Sequence, residues 1–302
     1  MIRTNSLQAW LLAARPKTLS GAAVPVMIGI ALTYAECGNS IRLVPALLCL
    51  LFAFIMQIDA NFVNDYFDFL RGNDGPDRLG PLRACSQGWI TGDAMKKGIL
   101  FTTALACTIG LPLVAYGGWT MIGVGALCVV FCFLYTTHLS YIGMGDLLVL
   151  LFFGLVPVTM TRFLTLPALQ QSFSYDSFAA SLACGLVVDT LLVVNNYRDI
   201  ENDLRDGKRT LIVFIGSHWG ERLYLGLGLA ACALCGLFWL KGWHMAAVLP
   251  FAGYLPFHIA TYRELCKIGK GRELNRVLGS TARNIFIFGL LLSAGLLLSR
   301  LL

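Results

Sequence analysis

Apolar runs long enough to cross a bilayer, which takes about twenty residues, recur from one end of this chain to the other, separated by short charged segments. In lipid such a run satisfies its backbone N–H and C=O groups only as a helix. Apolar windows near 19–35, 43–66, 98–116, 119–137, 145–165, 178–198, 222–240, 244–262 and 283–301 therefore predict an all-α polytopic membrane bundle of about nine transmembrane helices. Composition agrees: 57% of the residues are hydrophobic and only 13% charged, where a soluble domain carries about 25%. No polar linker divides the 302 residues, so 1–302 reads as a single integral-membrane domain. The run after Arg15-Pro16-Lys17 lacks a small-residue cleavage site and reads as a first transmembrane helix, not a cleaved signal.

Charge placement predicts orientation. In this arrangement 19 of the 23 Lys and Arg residues fall on one side, and only Arg42, Arg162, Lys241 and Arg300 on the other. The positive-inside rule puts the N-terminus and the polar segments that end the second and sixth spans in or near the cytoplasm, as expected of an inner-membrane protein. The net charge of +6 follows from that rule and from anionic lipid headgroups, and needs no nucleic-acid partner. Of the ten cysteines, Cys107, Cys128, Cys132, Cys184, Cys232 and Cys235 lie within apolar runs as small hydrophobes. Cys232-x-x-Cys235 has no second ligand pair nearby, and His218, His244 and His258 show no ligand spacing.

Two polar segments end apolar spans, where ionisable groups are expensive: Asn64-Asp65-Tyr66-Phe67-Asp68 and Asn195-Asn196-Tyr197-Arg198-Asp199. On a helix, Asn61, Asn64, Asp65 and Asp68 form one stripe; Asn196, Asp199 and Asp203 form another, with Asn195 at its edge. Both stripes offer oxygen donors without histidine or thiolate. That is the preference of magnesium, which uses few carboxylates, keeps waters and takes further ligands from phosphate. Arg71, Arg78 and Arg83 follow the first stripe; Arg198, Arg205, Lys208 and Arg209 accompany the second. Acids acting through a metal and bases acting directly make a diphosphate site. The bland alternative is interfacial charges that pair with one another and cap helix ends. An offset of 131 residues superposes Asn64 on Asn195, Tyr66 on Tyr197 and Asp68 on Asp199. Such repeated halves also occur in transporters, so a carrier of an anionic metabolite is the rival reading.

Asn64-x-x-x-Asp68 and Asn195-x-x-x-Asp199-x-x-x-Asp203 resemble the two Asp-rich motifs of the UbiA-type intramembrane aromatic prenyltransferases. Ala14-Arg15-Pro16-Lys17-Thr18-Leu19, Asp77-Arg78-Leu79-Gly80-Pro81-Leu82-Arg83-Ala84, the run from Asn196 to Asp203, and Gly207-Lys208-Arg209-Thr210-Leu211 are similar to the branch that prenylates 1,4-dihydroxy-2-naphthoate in menaquinone synthesis. The resemblance implies a nine-helix fold and Mg2+ as cofactor, held by Asn64, Asp65, Asp68, Asn196, Asp199 and Asp203. It implies a polyprenyl diphosphate and the naphthoate as substrates, converted to demethylmenaquinol, CO2 and diphosphate. Lys208, Arg78, Arg83 and Arg198 would then act catalytically on the departing diphosphate. Arg15, Lys17, Tyr66, Tyr135, Tyr141, Asp146, Asn195 and Arg209 would contact substrate. Membrane lipid is the medium through which the prenyl tail enters, and no obligate protein partner is implied. Another acceptor, such as a 4-hydroxybenzoate-like aromatic, or phytyl transfer, stays open.

Two departures from the family pattern stand out. The Tyr-x-x-x-Lys element after the fourth span reads Tyr135-Thr136-Thr137-His138-Leu139 here, which fits a different aromatic acceptor. Gly72 replaces an acid of the first motif, with Asp74 as a stand-in. Tyr66, Tyr135, Tyr141 and Phe152 could face an allylic cation, each worth roughly 0.5–2 kcal/mol by cation–π contact. Asp146 is either a helix N-cap or an acceptor contact. Asp59 and Asp189 lie deeper in their spans, and His138 reads as an interfacial histidine.

Overall fold

A computed structural model describes residues 2–73, 75 and 78–301. The described residues form helices and connecting turns, without a strand. In order these are α1 (Leu7–Ala14), α2 (Leu19–Cys37), α3 (Leu43–Arg71), α4 (Gly92–Gly117), α5 (Thr120–Thr137), α6 (Gly145–Thr165), α7 (Tyr175–Arg198), the short α8 (Ile200–Arg205), α9 (Leu211–Lys241), α10 (244–268) and α11 (Leu274–Leu301). Among them eight stretches are long and apolar enough to cross a membrane, α1 and α2 counting as one. The ninth expected span corresponds to α10. It is helical throughout, but two prolines and two histidines make it less apolar.

Four local features depart from the sequence reading. Ser6 accepts a hydrogen bond from the Ala9 N–H and starts α1, a separate short helix. Arg15, in the left-handed region at φ 50°, turns the chain from α1 into α2. Gly216, at φ 77° and ψ 167°, kinks α9 so that its first turn departs from the main rod. In α6 and α10 the helix widens to a π turn just before Pro157 and Pro256, whose missing N–H groups interrupt the ordinary ladder.

Helix α7 is the hub. Its small residues Ala180, Ala183 and Cys184 are buried against α2, α6, α9 and α11. Close approach depends on glycine, as expected where lipid supplies no hydrophobic drive between helices. A Cβ on Gly154 would lie 2.6 Å from the Ser181 carbonyl and 2.7 Å from Gly185 Cα. On Gly295 it would meet Ala246 Cα at 2.6 Å.

The end of the bundle that holds Arg42, Arg162, Lys241 and Arg300 is closed by local pairs. Arg162 chelates Glu36 with Nη2–Oε2 at 2.6 Å, Lys241 pairs with Asp176, and Arg300 donates to the Ala35 carbonyl at 2.9 Å. Arg42 donates its backbone N–H to the Thr165 carbonyl at 2.9 Å. Both acid stripes sit at the opposite end.

Candidate active site

The first stripe divides into struts and site residues. Asn61 donates to the Ala14 carbonyl at 2.9 Å and to Thr18 Oγ1 at 3.0 Å, tying α3 to the α1–α2 corner. Asp65 is 1% exposed. Its two oxygens accept the backbone N–H groups of Ala84 and Cys85 at 2.8 and 2.9 Å, pinning the loop after α3. That bonding differs from the expected metal-ligand role. Asn64 and Asp68 remain at the site: Asn64 accepts from the Thr136 hydroxyl, and Asp68 Oδ2 pairs with Arg83 Nη2 at 2.6 Å.

The second stripe bends at Asp199, where α7 ends and α8 begins. Arg198, 4% exposed, gathers this half. Its Nε donates to Asp199 Oδ1 at 2.8 Å, Nη2 to Asn195 Oδ1 at 2.9 Å and to Asp199 Oδ2, and Nη1 to Asn275 Oδ1 at 2.8 Å. One turn on, the Asp203 carbonyl accepts the Lys208 N–H at 2.8 Å, and Lys208 Nζ lies 3.4 Å from Asp203 Oδ1. Asp203 Oδ2 is buried with no partner among the described residues. Burial pushes the Asp203 carboxyl up to about 6; the charge of Asp199 adds to the shift and Lys208 opposes it.

The two halves meet through the loop after α3. Asn275 at the start of α11 donates to the Leu79 carbonyl at 2.8 Å, and Arg272 to the Arg78 carbonyl at 3.2 Å. Gly80 makes room: a Cβ there would lie 2.9 Å from Arg198 Nη2 and 3.4 Å from Arg78 Nη2. Arg272 and Asn275 were absent from the sequence-derived set. Nothing in their local sequence separates them from other residues of a charged loop.

Beneath this bridge opens a cavity of about 1450 Å³. Arg15, Lys17, Asn64, Arg78, Asn195 and Arg198 line its polar end, and Phe52, Phe131, Phe152 and Met160 its length. It reaches Leu113, Met121 and Leu164 toward the other end of the bundle. Tyr135 lines both this cavity and a small pocket that also holds Asp146, Asn196 and Lys208.

Other expected contacts lie elsewhere. Tyr66 is buried in a cluster with Phe67 and Trp89, under Lys96, because the loop after α3 folds back over that face. Tyr141 is held by Asn73 and stacks under the Arg71 guanidinium at 4.4 Å. Arg209 is exposed, and its backbone N–H donates to the Tyr141 carbonyl at 3.0 Å. These three do not line the cavity. Asp74 and Asp77 fall outside the described residues. The N-cap alternative for Asp146 is not realised: α6 begins at Gly145, and neither Asp146 oxygen has a hydrogen-bond partner among the described residues. Asp59 accepts from the Thr102 and Thr103 hydroxyls at 2.5 and 3.0 Å, and His138 is exposed beside Thr137. Among the described residues no three His, Cys, Asp or Glu side chains converge on one point. Each stripe presents acids already matched to a cation.

Comparison with known proteins is consistent with this architecture. Residues 22–278 match the profile of the UbiA prenyltransferase family. The chain is 36% identical over 303 residues to the 1,4-dihydroxy-2-naphthoate octaprenyltransferase of Escherichia coli K12, covering 95% of this chain and 96% of that protein. It is 34% identical to the enzyme of the same name from Haemophilus influenzae, covering 83% of this chain and 82% of that protein. In fold it is similar to a UbiA homolog from Archaeoglobus fulgidus bound to DMAPP and Mg2+. That likeness has a TM-score of 0.57 and 17% identity, covering 94% of this chain and 99% of the other. The chain is an integral membrane protein and belongs to the UbiA prenyltransferase family.

Proposed function

We propose that the protein transfers a polyprenyl group from its diphosphate to 1,4-dihydroxy-2-naphthoate, with loss of CO2, giving demethylmenaquinol and diphosphate. The observation that carries this reading is the junction of both acid stripes and their arginines at the mouth of one long apolar cavity. A diphosphate needs the charged mouth, and its polyprenyl tail needs the apolar length. The naphthoate acceptor is supported by two relatives that carry that activity in their names.

Asp68, Asp199 and Asp203 fit Mg2+: they are hard oxygen donors, and one buried oxygen of Asp203 has no partner among the described residues. We leave Asp65 out of the set because the loop occupies both its oxygens. When bound, the metal ion supplies positive charge that stabilises the leaving diphosphate. Arg78, Arg198 and Lys208 would bind the diphosphate oxygens directly, with Arg83 beside them. Arg15 and Lys17 face the same cavity from the α1–α2 corner. Arg83, Arg198 and Lys208 pair with Asp68, Asp199 and Asp203, so substrate binding would exchange carboxylate partners for phosphate partners. The loop bridge and the apolar wall exclude water from the allylic cation, and the Tyr135 and Phe152 rings border that space. The naphthoate ring is electron-rich and serves as the nucleophile, so no Ser or Cys nucleophile is required. Following the positive-inside rule, we place this end of the bundle in the cytoplasm, and we treat 1–302 as one catalytic unit.

The test uses purified full-length protein in detergent with Mg2+, geranyl diphosphate and a panel of acceptors: 1,4-dihydroxy-2-naphthoate, 4-hydroxybenzoate and glyceryl phosphate. Prenylated naphthol with Mg2+-dependent diphosphate release is the expected result. Asp68→Ala and Asp199→Ala should each lower it by about 100-fold or more. Turnover of a different acceptor in the panel and none of the naphthoate would reject the acceptor assignment.

A further inference from the structure

Asp146 and Asp189 are the charged groups that the diphosphate site leaves unexplained. Helices α6 and α7 run antiparallel, and glycine contacts set their register. Gly154 packs on Ser181 and Gly185, and Gly185 in turn on Leu150. One further turn along each helix brings Asp146 opposite Asp189. Gly145 confirms the register, since a Cβ there would lie 3.3 Å from Leu192 and 3.7 Å from the Tyr135 ring.

Both acids are buried, at 8% and 2% exposure. Among the described residues both oxygens of Asp146 and Oδ1 of Asp189 have no hydrogen-bond partner. A buried carboxyl left so is costly. Asp146 lines a pocket of about 10 Å³, room for one water, with Tyr135, Asn196 and Lys208. Tyr135 and Leu192 border both that pocket and the large cavity, so the two spaces adjoin there.

We propose that Asp146, backed by Asp189, holds the proton of an acceptor ring hydroxyl while the new carbon–carbon bond forms. The inference rests on the prenyltransferase reading with a dihydroxy aromatic acid as acceptor. As the acceptor O–H bond breaks, its proton passes through a pocket water to the Asp146 carboxylate, and the oxygen becomes a carbonyl. The ring carbon that bears the carboxyl bonds to C1 of the prenyl group as the C1–O bond breaks, its electron pair leaving with the diphosphate. Loss of CO2 returns the carboxyl bond pair to the ring, and the carbonyl takes the proton back from Asp146. No proton is gained or lost overall, and no oxidant is needed.

The experiment compares the full-length protein with Asp146→Asn, Asp146→Glu and Asp189→Asn, in detergent with Mg2+, geranyl diphosphate and 1,4-dihydroxy-2-naphthoate. For Asp146→Asn, kcat should fall about 100-fold or more, while KM and equilibrium binding of the donor change less than about threefold. Its residual rate should rise with pH, because an acceptor that is already ionised needs no base. Asp146→Glu should recover part of the loss, and Asp189→Asn should lower kcat about tenfold with donor binding intact. The proposal is overturned if Asp146→Asn keeps kcat within about threefold of the parent. It is equally overturned if Asp146→Asn and Asp189→Asn both lose donor binding in step with rate, which is the mark of a structural role. A parent protein inactive on the naphthoate would instead reject the acceptor reading, before any variant is compared.

Discussion

Asp65 and Asp68 lie one helical turn apart on the same stripe, yet the structure gives them different work. Asp65 is sealed beneath the loop as the acceptor of two backbone N–H groups, whereas Asp68 meets Arg83 beside the cavity mouth. Replacing Asp65 with Ala strands two buried donors, at about 1–3 kcal/mol each. It should lower the thermal midpoint, whereas Asp68→Asn, which keeps an oxygen for Arg83, should lower activity with a smaller change in midpoint; a thermal scan of both variants separates the two roles. Asp203 carries a pH dependence. Its carboxyl titrates near 6 because burial disfavours the charge, and metal must displace that proton. Ionising it in the fold is unfavourable, so its contribution to stability is present below the ordinary carboxylate range and is lost as pH rises through about 6. Metal binding has the opposite sense: the Mg2+ concentration needed for donor binding should rise about tenfold per pH unit below that value. Asp203→Asn should remove this slope in a Mg2+ titration. The periodicity of the stripe is legible in sequence, but periodicity does not say which members a distant loop will cover.

Elements are legible in sequence where apolar length decides them and less so where a single turn does. Spans α3 to α7 lie close to their predicted windows, since lipid demands continuous helix there. Helix α1 escaped because eight residues before Arg15 are too few to show a spanning signal, and their place depends on Trp10 packing against Phe62 and Gly98. The α6–α7 crossing gives an element-scale prediction. Gly154→Val forces a side chain onto backbone atoms that cannot move aside, and should cost about 1–3 kcal/mol. Gly123→Ala, with nothing within 4 Å, should be neutral or gain up to about 1 kcal/mol from helix propensity. Denaturation midpoints of the two purified variants check this contrast.

At the scale of the molecule, the bundle encloses a cavity that starts between the two stripes and runs most of the way to its other end. Ala53 lines it on α3, eleven residues and about 17 Å from Asn64. Ala53→Trp should raise KM for long prenyl donors about tenfold while leaving dimethylallyl diphosphate little affected, since an added indole removes apolar volume only from the far half. Steady-state kinetics with the two donors would show it. Apolar run length and charge sorting determined, from sequence alone, that this is a helical membrane bundle with both Asn/Asp segments at one end, because lipid leaves the backbone no alternative to helix and puts a high cost on misplaced charge. Which members of each stripe are buried struts and which lie at the cavity mouth, that Arg272 and Asn275 close the loop across it, and that Asp146 lies opposite Asp189 were decided only by tertiary structure. Those facts depend on helix register and on contacts between residues far apart in the chain, which no local pattern encodes.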